Sequence, residues 1–505
     1  MSALKKLAGQ TAVYGLSSIV GRLLNYLLVP IYTRVFVDTA EYGIVTEMYA
    51  YAGFFIVVYT YGMETAFFRF QKDTNKLTVL STSFLSVFFS SLLFSALLLF
   101  SSSGLAALLT MNGASASFLG PQAYRKYIDW FALILFFDAV AAVPFARLRA
   151  ENRPFVFAGI KLLNILINVG LNIYFIVIAP KLVSAHAMQP NLWMPASPHV
   201  DYVFISNLIA SGFTLILLVP GMLRQPWAFD THLWKKMIRY ALPLVIVGLA
   251  GAVNEMLDRI LLKYLLPYTY EENMAALGIY GACYKLSILM TLFTQAYRYA
   301  AEPFYFAQYG QKNDRATYAN VMKYFIVAGC LIFLGVMLFI DVVKHFIGKE
   351  YHGGLHVVPI LLMANLALGV YYNLSIWYKL NDKTAMGAAI AVGGAVITIV
   401  LNWLLIPRMG YAGAAWATLC CYALMTIASY LVGQRVYPVP YDIPRILGYI
   451  ALALVIYGGH VLVRSTLDGG ENRFWEYVSA VAFLVFFVVI IWWMEKKPAR
   501  FNTTS

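Results

Sequence analysis

A chain of 505 residues in which 61% of positions are hydrophobic and only 12% are charged is poorly suited to water. Soluble domains carry about a quarter charged residues, and a mean hydropathy of +0.71 leaves no stretch polar enough to enclose a water-soluble core. The net charge of +13 does not point to nucleic acid. Its Lys and Arg residues stand at the ends of apolar segments, without a continuous basic face.

From the N-terminus, Met1-Ser2-Ala3-Leu4-Lys5-Lys6 leads into an apolar run without a small-residue cleavage site. It reads as a first membrane span kept in the mature protein. Runs of about 20 apolar residues cross a hydrocarbon core of ~30 Å as helices. Fourteen such runs are expected, near 10–33, 41–64, 78–103, 124–146, 155–179, 200–220, 238–263, 274–300, 318–341, 355–379, 385–406, 411–434, 443–464 and 475–494. None alternates with the period of a barrel strand, so the fold class is an all-α polytopic membrane protein. Cys283, Cys330, Cys420 and Cys421 fall inside these runs and read as small packing residues.

Placing the N-terminus inside puts Arg69/Lys72/Lys76, Arg147/Arg149/Arg153, Lys235/Lys236/Arg239 and Lys496/Lys497/Arg500 on inner segments. Inner segments then hold roughly 24 basic residues and outer ones roughly 10, the bias that sets orientation. Both termini are expected to be cytoplasmic. The longest outer connections, near 104–123 and 180–200, are too short for a folded domain of ~50 residues. A glycosyltransferase or polymerase with a large catalytic loop is thereby disfavoured.

Charges and amides in hydrocarbon usually face a cavity or a partner. Span one carries Gly15, Ser18, Arg22 and Asn25 on one helical face, with Arg22 about halfway along. Span five carries Lys161, Asn164, Asn168 and Asn172 on another, a stripe that reads equally as cavity lining or as helix–helix glue. Asp138 sits mid-span in span four, where it either pairs with a cation such as Lys285 or Arg22, or carries a coupling proton. Span seven groups Gly251, Glu255 and Asp258 beside Asn254. Glu255 and Arg259 are one turn apart and can pair, whereas Asp258 and Arg259 point about 100° apart. Span eight runs Tyr280, Tyr284, Ser287, Thr291, Thr294 and Arg298, with Lys285 well inside it. His352 and His356 lack further ligands and make a poor metal site. No nucleophile motif or Gly-rich phosphate loop is present, so neither catalysis nor a metal or cofactor is expected.

The halves echo each other at an offset of 230 residues. Lys5-Lys6 matches Lys235-Lys236, Gly21 matches Gly251, Arg153 matches Lys383, and Leu171-Asn172 matches Leu401-Asn402. Glu41-Tyr42-Gly43-Ile44 parallels Ala276-Leu277-Gly278-Ile279 with five residues inserted. The expected organisation is an N-lobe of six spans over 1–220, a cytoplasmic linker at 221–237, a C-lobe of six spans over 238–435, and two further spans with a tail over 436–505. Parallel repeats of this kind hold substrate between halves that rock for alternating access.

Four segments carry a family resemblance. They are Leu28-Val29-Pro30-Ile31-Tyr32-Thr33-Arg34 with Glu41-Tyr42-Gly43; Asp258-Arg259-Ile260-Leu261-Leu262 with Leu277-Gly278-Ile279-Tyr280; Gln295-Ala296-Tyr297-Arg298-Tyr299-Ala300-Ala301-Glu302-Pro303-Phe304; and Asn402-Trp403-Leu404-Leu405-Ile406-Pro407-Arg408-Met409-Gly410-Tyr411 with Gly413-Ala414-Ala415-Trp416-Ala417-Thr418. Through them the chain resembles the polysaccharide (O-antigen, Wzx-type) flippases of the multidrug/oligosaccharidyl-lipid/polysaccharide exporter superfamily. The resemblance implies flipping of an undecaprenyl-diphosphate-linked oligosaccharide across the bacterial inner membrane. It also implies a monomer among membrane lipids, with polysaccharide polymerase and chain-length machinery as candidate partners.

A diphosphate needs fixed cations, for which Arg22, Arg259, Lys285 and Arg298 are candidates. Sugars need amides and hydroxyls, which Ser18, Asn25, Asn164 and Asn168 offer beside Lys161. Asp138, Glu255 and Asp258 are the candidates for ion or proton coupling. A peptidoglycan-precursor flippase and a cation-coupled multidrug exporter of the same superfamily are the alternatives.

Overall fold

The computed structural model describes residues 19–71, 74–110, 119–191, 193–223, 227–311, 314–467 and 473–496. Their regular elements are all helices, and no strand occurs among the described residues. Helix α1 covers 19–26 and, after a turn at 27–28, Val29–Val35; the rest of the first expected span lies outside the described residues. There follow α2 (Thr39–Phe70), α3 (Lys76–Leu109), α4 (Pro121–Ala150), α5 (Pro154–Ser184), α6 (Asp201–Leu223) and α7 (Thr231–Leu265). Helix α8 is Tyr270–Leu286 continued by Ile288–Gln308 after a break at Ser287. The chain ends with α9 (Asp314–Leu338), α10 (Lys349–Leu380), α11 (Thr384–Met409), α12 (Tyr411–Val436), α13 (Ile443–Leu467) and α14 (Arg473–Lys496). Twelve of these are long and apolar enough to cross a membrane, and the broken α8 makes a thirteenth, among the described residues.

Helix starts follow from local chemistry. Asp38 accepts from the Ala40 amide at 2.9 Å, Asn75 from Leu77 at 3.0 Å, and Asp230 from His232 and Leu233 at 2.9 and 3.0 Å. Each satisfies an amide that the first helical turn leaves without a partner. Prolines open α4 and α5, where the missing N–H is not needed. Left-handed residues Tyr61 (φ 30°) and Gly62 (φ 70°) break α2 into Thr39–Thr60 and Met63–Phe70. The helices run longer than the apolar runs alone suggest. At 34 residues α3 extends ~51 Å, so it projects beyond the hydrocarbon. Its exposed face carries Phe89, Leu93, Leu97 and Phe100, a surface that only lipid would cover without aggregation.

The 230-residue echo has a backbone counterpart. Asn152 and Asp382 both stand at φ 54°, in the left-handed region that Asn and Asp tolerate better than most residues. The next amide in each case reaches back five residues, Arg153 to the Leu148 carbonyl at 2.9 Å and Lys383 to the Tyr378 carbonyl at 2.8 Å. The same helix stop thus precedes α5 and α11. Within those helices Asn172 and Asn402 are both fully buried. Each donates to the carbonyl four residues earlier, at 2.8 Å.

The chain divides into two compact units: 1–282 with 347–353 and 395–414, and 283–346 with 354–394 and 415–505. In the first, α3 and α4 pack along their lengths, α6 lies against α4 and α5, and α7 lies against α2. In the second, the last two helices pack on α9. Lys323 of α9 pairs with Glu495 of α14 at 2.5 Å, and Arg464 of α13 with Asp341, just past the end of α9, at 2.8 Å. Cys283, Cys330 and Cys421 are buried and unbridged.

Candidate functional site

The first unit encloses a cavity of about 630 Å³ lined by side chains of α1, α2, α4, α5 and α6. Its polar wall combines Asn25, Thr60, Glu64, Asp138, Arg149, Lys161, Asn164, Asn168, Asn207, Ser211 and Thr214. The helical period explains the gathering: Lys161, Asn164 and Asn168 share one face of α5, and Asn207, Ser211 and Thr214 one face of α6. Between them the amides hold one another in place. Asn168 donates to Asn25 at 3.1 Å, Asn172 to Asn168 at 3.1 Å, and Tyr32 to Asn172 at 2.8 Å. Asn164 donates to Thr214 at 2.8 Å, and Asn207 to the Tyr49 hydroxyl at 2.7 Å. The α5 stripe therefore divides by depth. Asn172 is buried glue, while Asn164 and Asn168 bond neighbours and line the cavity.

Charge in the cavity is balanced, with two acids and two bases. Arg149 pairs with Glu64, its guanidinium lying 5.1 Å from the Phe68 ring centre and 5.9 Å from that of Phe157. Lys161 stands 4.3 Å over the Phe145 ring. Asp138 is hydrogen-bonded to Ser211 and lies in the field of Lys161. Amides and hydroxyls between fixed, mutually compensated charges suit a polar ligand of low net charge; they do not form a cluster of cations.

The remaining candidates stand elsewhere. Ser18 and Gly15 lie outside the described residues. Arg22 is exposed and is not among the residues lining the cavity. Arg259 donates from its guanidinium to the Glu255 carbonyl oxygen at 2.8 Å. Asp258 is buried, accepting from Tyr280 at 2.6 Å and from the Arg259 amide at 2.9 Å. Lys285 and Arg298 belong to the second unit. There Arg298 lies 5.1 Å from the Tyr372 ring, beside the ion-paired Glu302 and Lys379. Ser287 and Thr291 of the α8 stripe both bond Asn365 of α10, at 3.3 and 3.1 Å, and act as helix glue.

In the sequence Arg149 reads only as a basic residue of an inner segment, and Glu64 is not singled out. Glu47 and Lys263 escaped the sequence reading altogether, although a lone acid in the apolar run Ile44-Val45-Thr46-Glu47-Met48 is itself a signal.

Membrane-length helices around a polar-lined cavity are the build of a membrane transporter. Residues 7–304, more than half the chain, match the family model described as polysaccharide biosynthesis protein, and the chain belongs to that family. Over 198 residues it is 22% identical to a probable low-salt glycan biosynthesis flippase of Haloferax volcanii. That alignment takes in 38% of this chain and only 40% of the relative's length. The fold is similar to that of the lipid II flippase MurJ in an inward closed conformation, with a TM-score of 0.73 at 14% identity over 96% of this chain and 99% of that one. It is similar also to an inward-facing multidrug MATE transporter, with a TM-score of 0.59 at 12% identity over 86% and 94%. The chain is thus a member of the polysaccharide biosynthesis protein family with a fold similar to those of these flippase and MATE structures.

Proposed function

We propose that this protein is a flippase that moves an undecaprenyl-diphosphate-linked oligosaccharide (an O-antigen, capsule or exopolysaccharide repeat unit) across the bacterial inner membrane by alternating access. The observation that carries the reading is the charge-balanced amide and hydroxyl wall of the 630 Å³ cavity. Sugars present many hydroxyls and little charge, and an amide-lined pocket exchanges their water for fixed hydrogen bonds at small net cost. In this reading Asn25, Asn164, Asn168 and Lys161 hold the glycan, while the lipid tail stays beside the helices. The diphosphate is left to cations outside the cavity, for which Arg22, Arg259, Lys285 and Arg298 remain the candidates.

Both termini are cytoplasmic in this account, the lobes are 1–220 and 238–435, and Asp138, with Glu255 and Asp258, is a candidate for coupling transport to an ion. Polymerase and chain-length machinery would receive the product.

The likeness in fold to a lipid II flippase over almost the whole chain supports a second reading, export of a peptidoglycan precursor. Liposomes carrying the purified protein and either lipid-linked glycan separate the two. Faster movement of the surface-polysaccharide precursor supports the first reading, and exclusive movement of the peptidoglycan precursor the second.

A further inference from the structure

Glu47 of α2 and Lys263 of α7 form an ion pair at 2.6 Å with both side chains wholly buried. Tyr124 of α4 donates to the second carboxylate oxygen of Glu47, also at 2.6 Å. The ammonium of Lys263 lies 4.9, 5.3 and 5.2 Å from the ring centres of Tyr124, Tyr264 and Tyr270. Asn273 of α8 donates to the carbonyls of Lys263 and Leu266, both at 3.1 Å, and so fastens the turn between α7 and α8. One turn before Glu47, the backbones of α2 and α8 meet without side chains between them. A Cβ on Gly43 would lie 2.2 Å from the Met274 carbonyl oxygen, and one on Gly278 would lie 1.9 Å from that of Thr39. Gly43 and Gly278 are matched positions of the internal repeat.

This cluster stands apart from the cavity on the same helix. Ile56, Thr60 and Glu64 line the cavity from α2. Nine residues separate Glu47 from Ile56, a rise of ~14 Å. The cavity thus lies toward the Glu64 end of α2, and the glycine contact and the ion pair lie toward its Thr39 end.

A permanent helix contact would gain nothing from such a pair, because apolar residues of similar volume commonly serve stability as well or better. A contact that must come apart gains a good deal. Parting an apolar seam exposes its surface to water, whereas a parted carboxylate and ammonium recover their hydration. Glycines that touch through their backbones leave no interlocked side chains to disengage.

We propose that Glu47 and Lys263 form the latch that holds the transport path shut at the Thr39 end of α2, and that each transport cycle separates them. The latch rests on the flippase reading but not on the identity of the glycan. Its test therefore uses no substrate. In a background with all four cysteines replaced, Ala50→Cys places a thiol one turn from the latch, at a buried position. A membrane-impermeant maleimide is then applied from the side of the α7–α8 turn.

The parent should label slowly, and Glu47→Gln or Lys263→Gln should raise the rate at least tenfold. Equal rates in the parent and in both variants, with all three monodisperse, would overturn the latch. Should those variants not purify intact, Gly278→Val takes their place, since its clash with the Thr39 carbonyl parts the helices without touching a charge. Accelerated labelling then supports the latch, and parent-like labelling overturns it.

Discussion

Asn168 of α5 donates a hydrogen bond to Asn25 of α1 at 3.1 Å, across 143 residues of chain. The contact joins two polar stripes that the sequence shows separately and places both amides on one cavity wall. Replacing either by alanine breaks this bond and, in the proposed function, removes a ligand for sugar. A lost hydrogen bond of ~1–2 kcal/mol corresponds to about a 5- to 30-fold fall in transport. Transport assays on Asn25→Ala and Asn168→Ala in liposomes check this, with leucine at Leu166, exposed on the same helix, exchanged for alanine as the neutral control.

The pairing of Arg149 with Glu64 sets a second expectation. Both side chains are about one-third exposed, so the pair itself should contribute no more than about 1 kcal/mol to stability. Its effect on transport should be larger, because Arg149→Ala leaves Glu64 as an uncompensated charge on the cavity wall. Arg149→Ala should slow transport more than the double change Glu64→Ala/Arg149→Ala does. Lysine at position 149 should not restore the rate, since it lacks the planar group that stacks on Phe68 and Phe157. Equal rates for the single and double variants would show that compensation is irrelevant.

On the connection before α6, His199 and Asp201 are 3.1 Å apart, and Lys126 reaches the same carboxylate at 2.8 Å. The hydrogen bond to Asp201 holds the His199 imidazole above its ordinary pKa of 6.5. A raised folded value means that the stabilisation is complete below the unfolded pKa and is lost as pH rises through the folded one. Amide exchange in residues 193–202 should therefore quicken with rising pH beyond its intrinsic base catalysis, and Asp201→Asn should abolish the excess. A His199 resonance titrating at or below 6.5 would contradict the assignment.

Lys323 and Glu495 fasten α14 to α9 at 2.5 Å, with little solvent around either side chain. Removing one partner of a mostly buried pair costs about 3–5 kcal/mol. Glu495→Ala should lower the melting temperature of the purified protein by several degrees. Transport at a permissive temperature should persist, because neither residue lines the cavity.

The helices and much of the cavity were legible because hydropathy and helical period carry them directly. Lys161, Asn164 and Asn168 share a face by spacing alone, and their face does line a cavity. What spacing cannot supply is the partner. For Asp138 the spacing left open a pairing with Lys285 or Arg22 or a coupling proton; the neighbouring cation in the fold is Lys161 of α5, brought near by helix packing. Lys263, at the last residue of an apolar run, reads as an ordinary interfacial lysine. It is buried because α7 runs on to Leu265 and three tyrosine rings close around its ammonium. The shared helix stop at Asn152 and Asp382 lies in backbone angles, which residue identities only permit.

The most direct measurement follows a fluorescent undecaprenyl-diphosphate oligosaccharide across liposomes containing the purified protein. Transfer between leaflets should be rapid with the parent protein and at least tenfold slower with Asn25→Ala/Asn168→Ala, while both proteins remain folded. Transfer at the parental rate by the double variant would show that the cavity is not where the glycan travels.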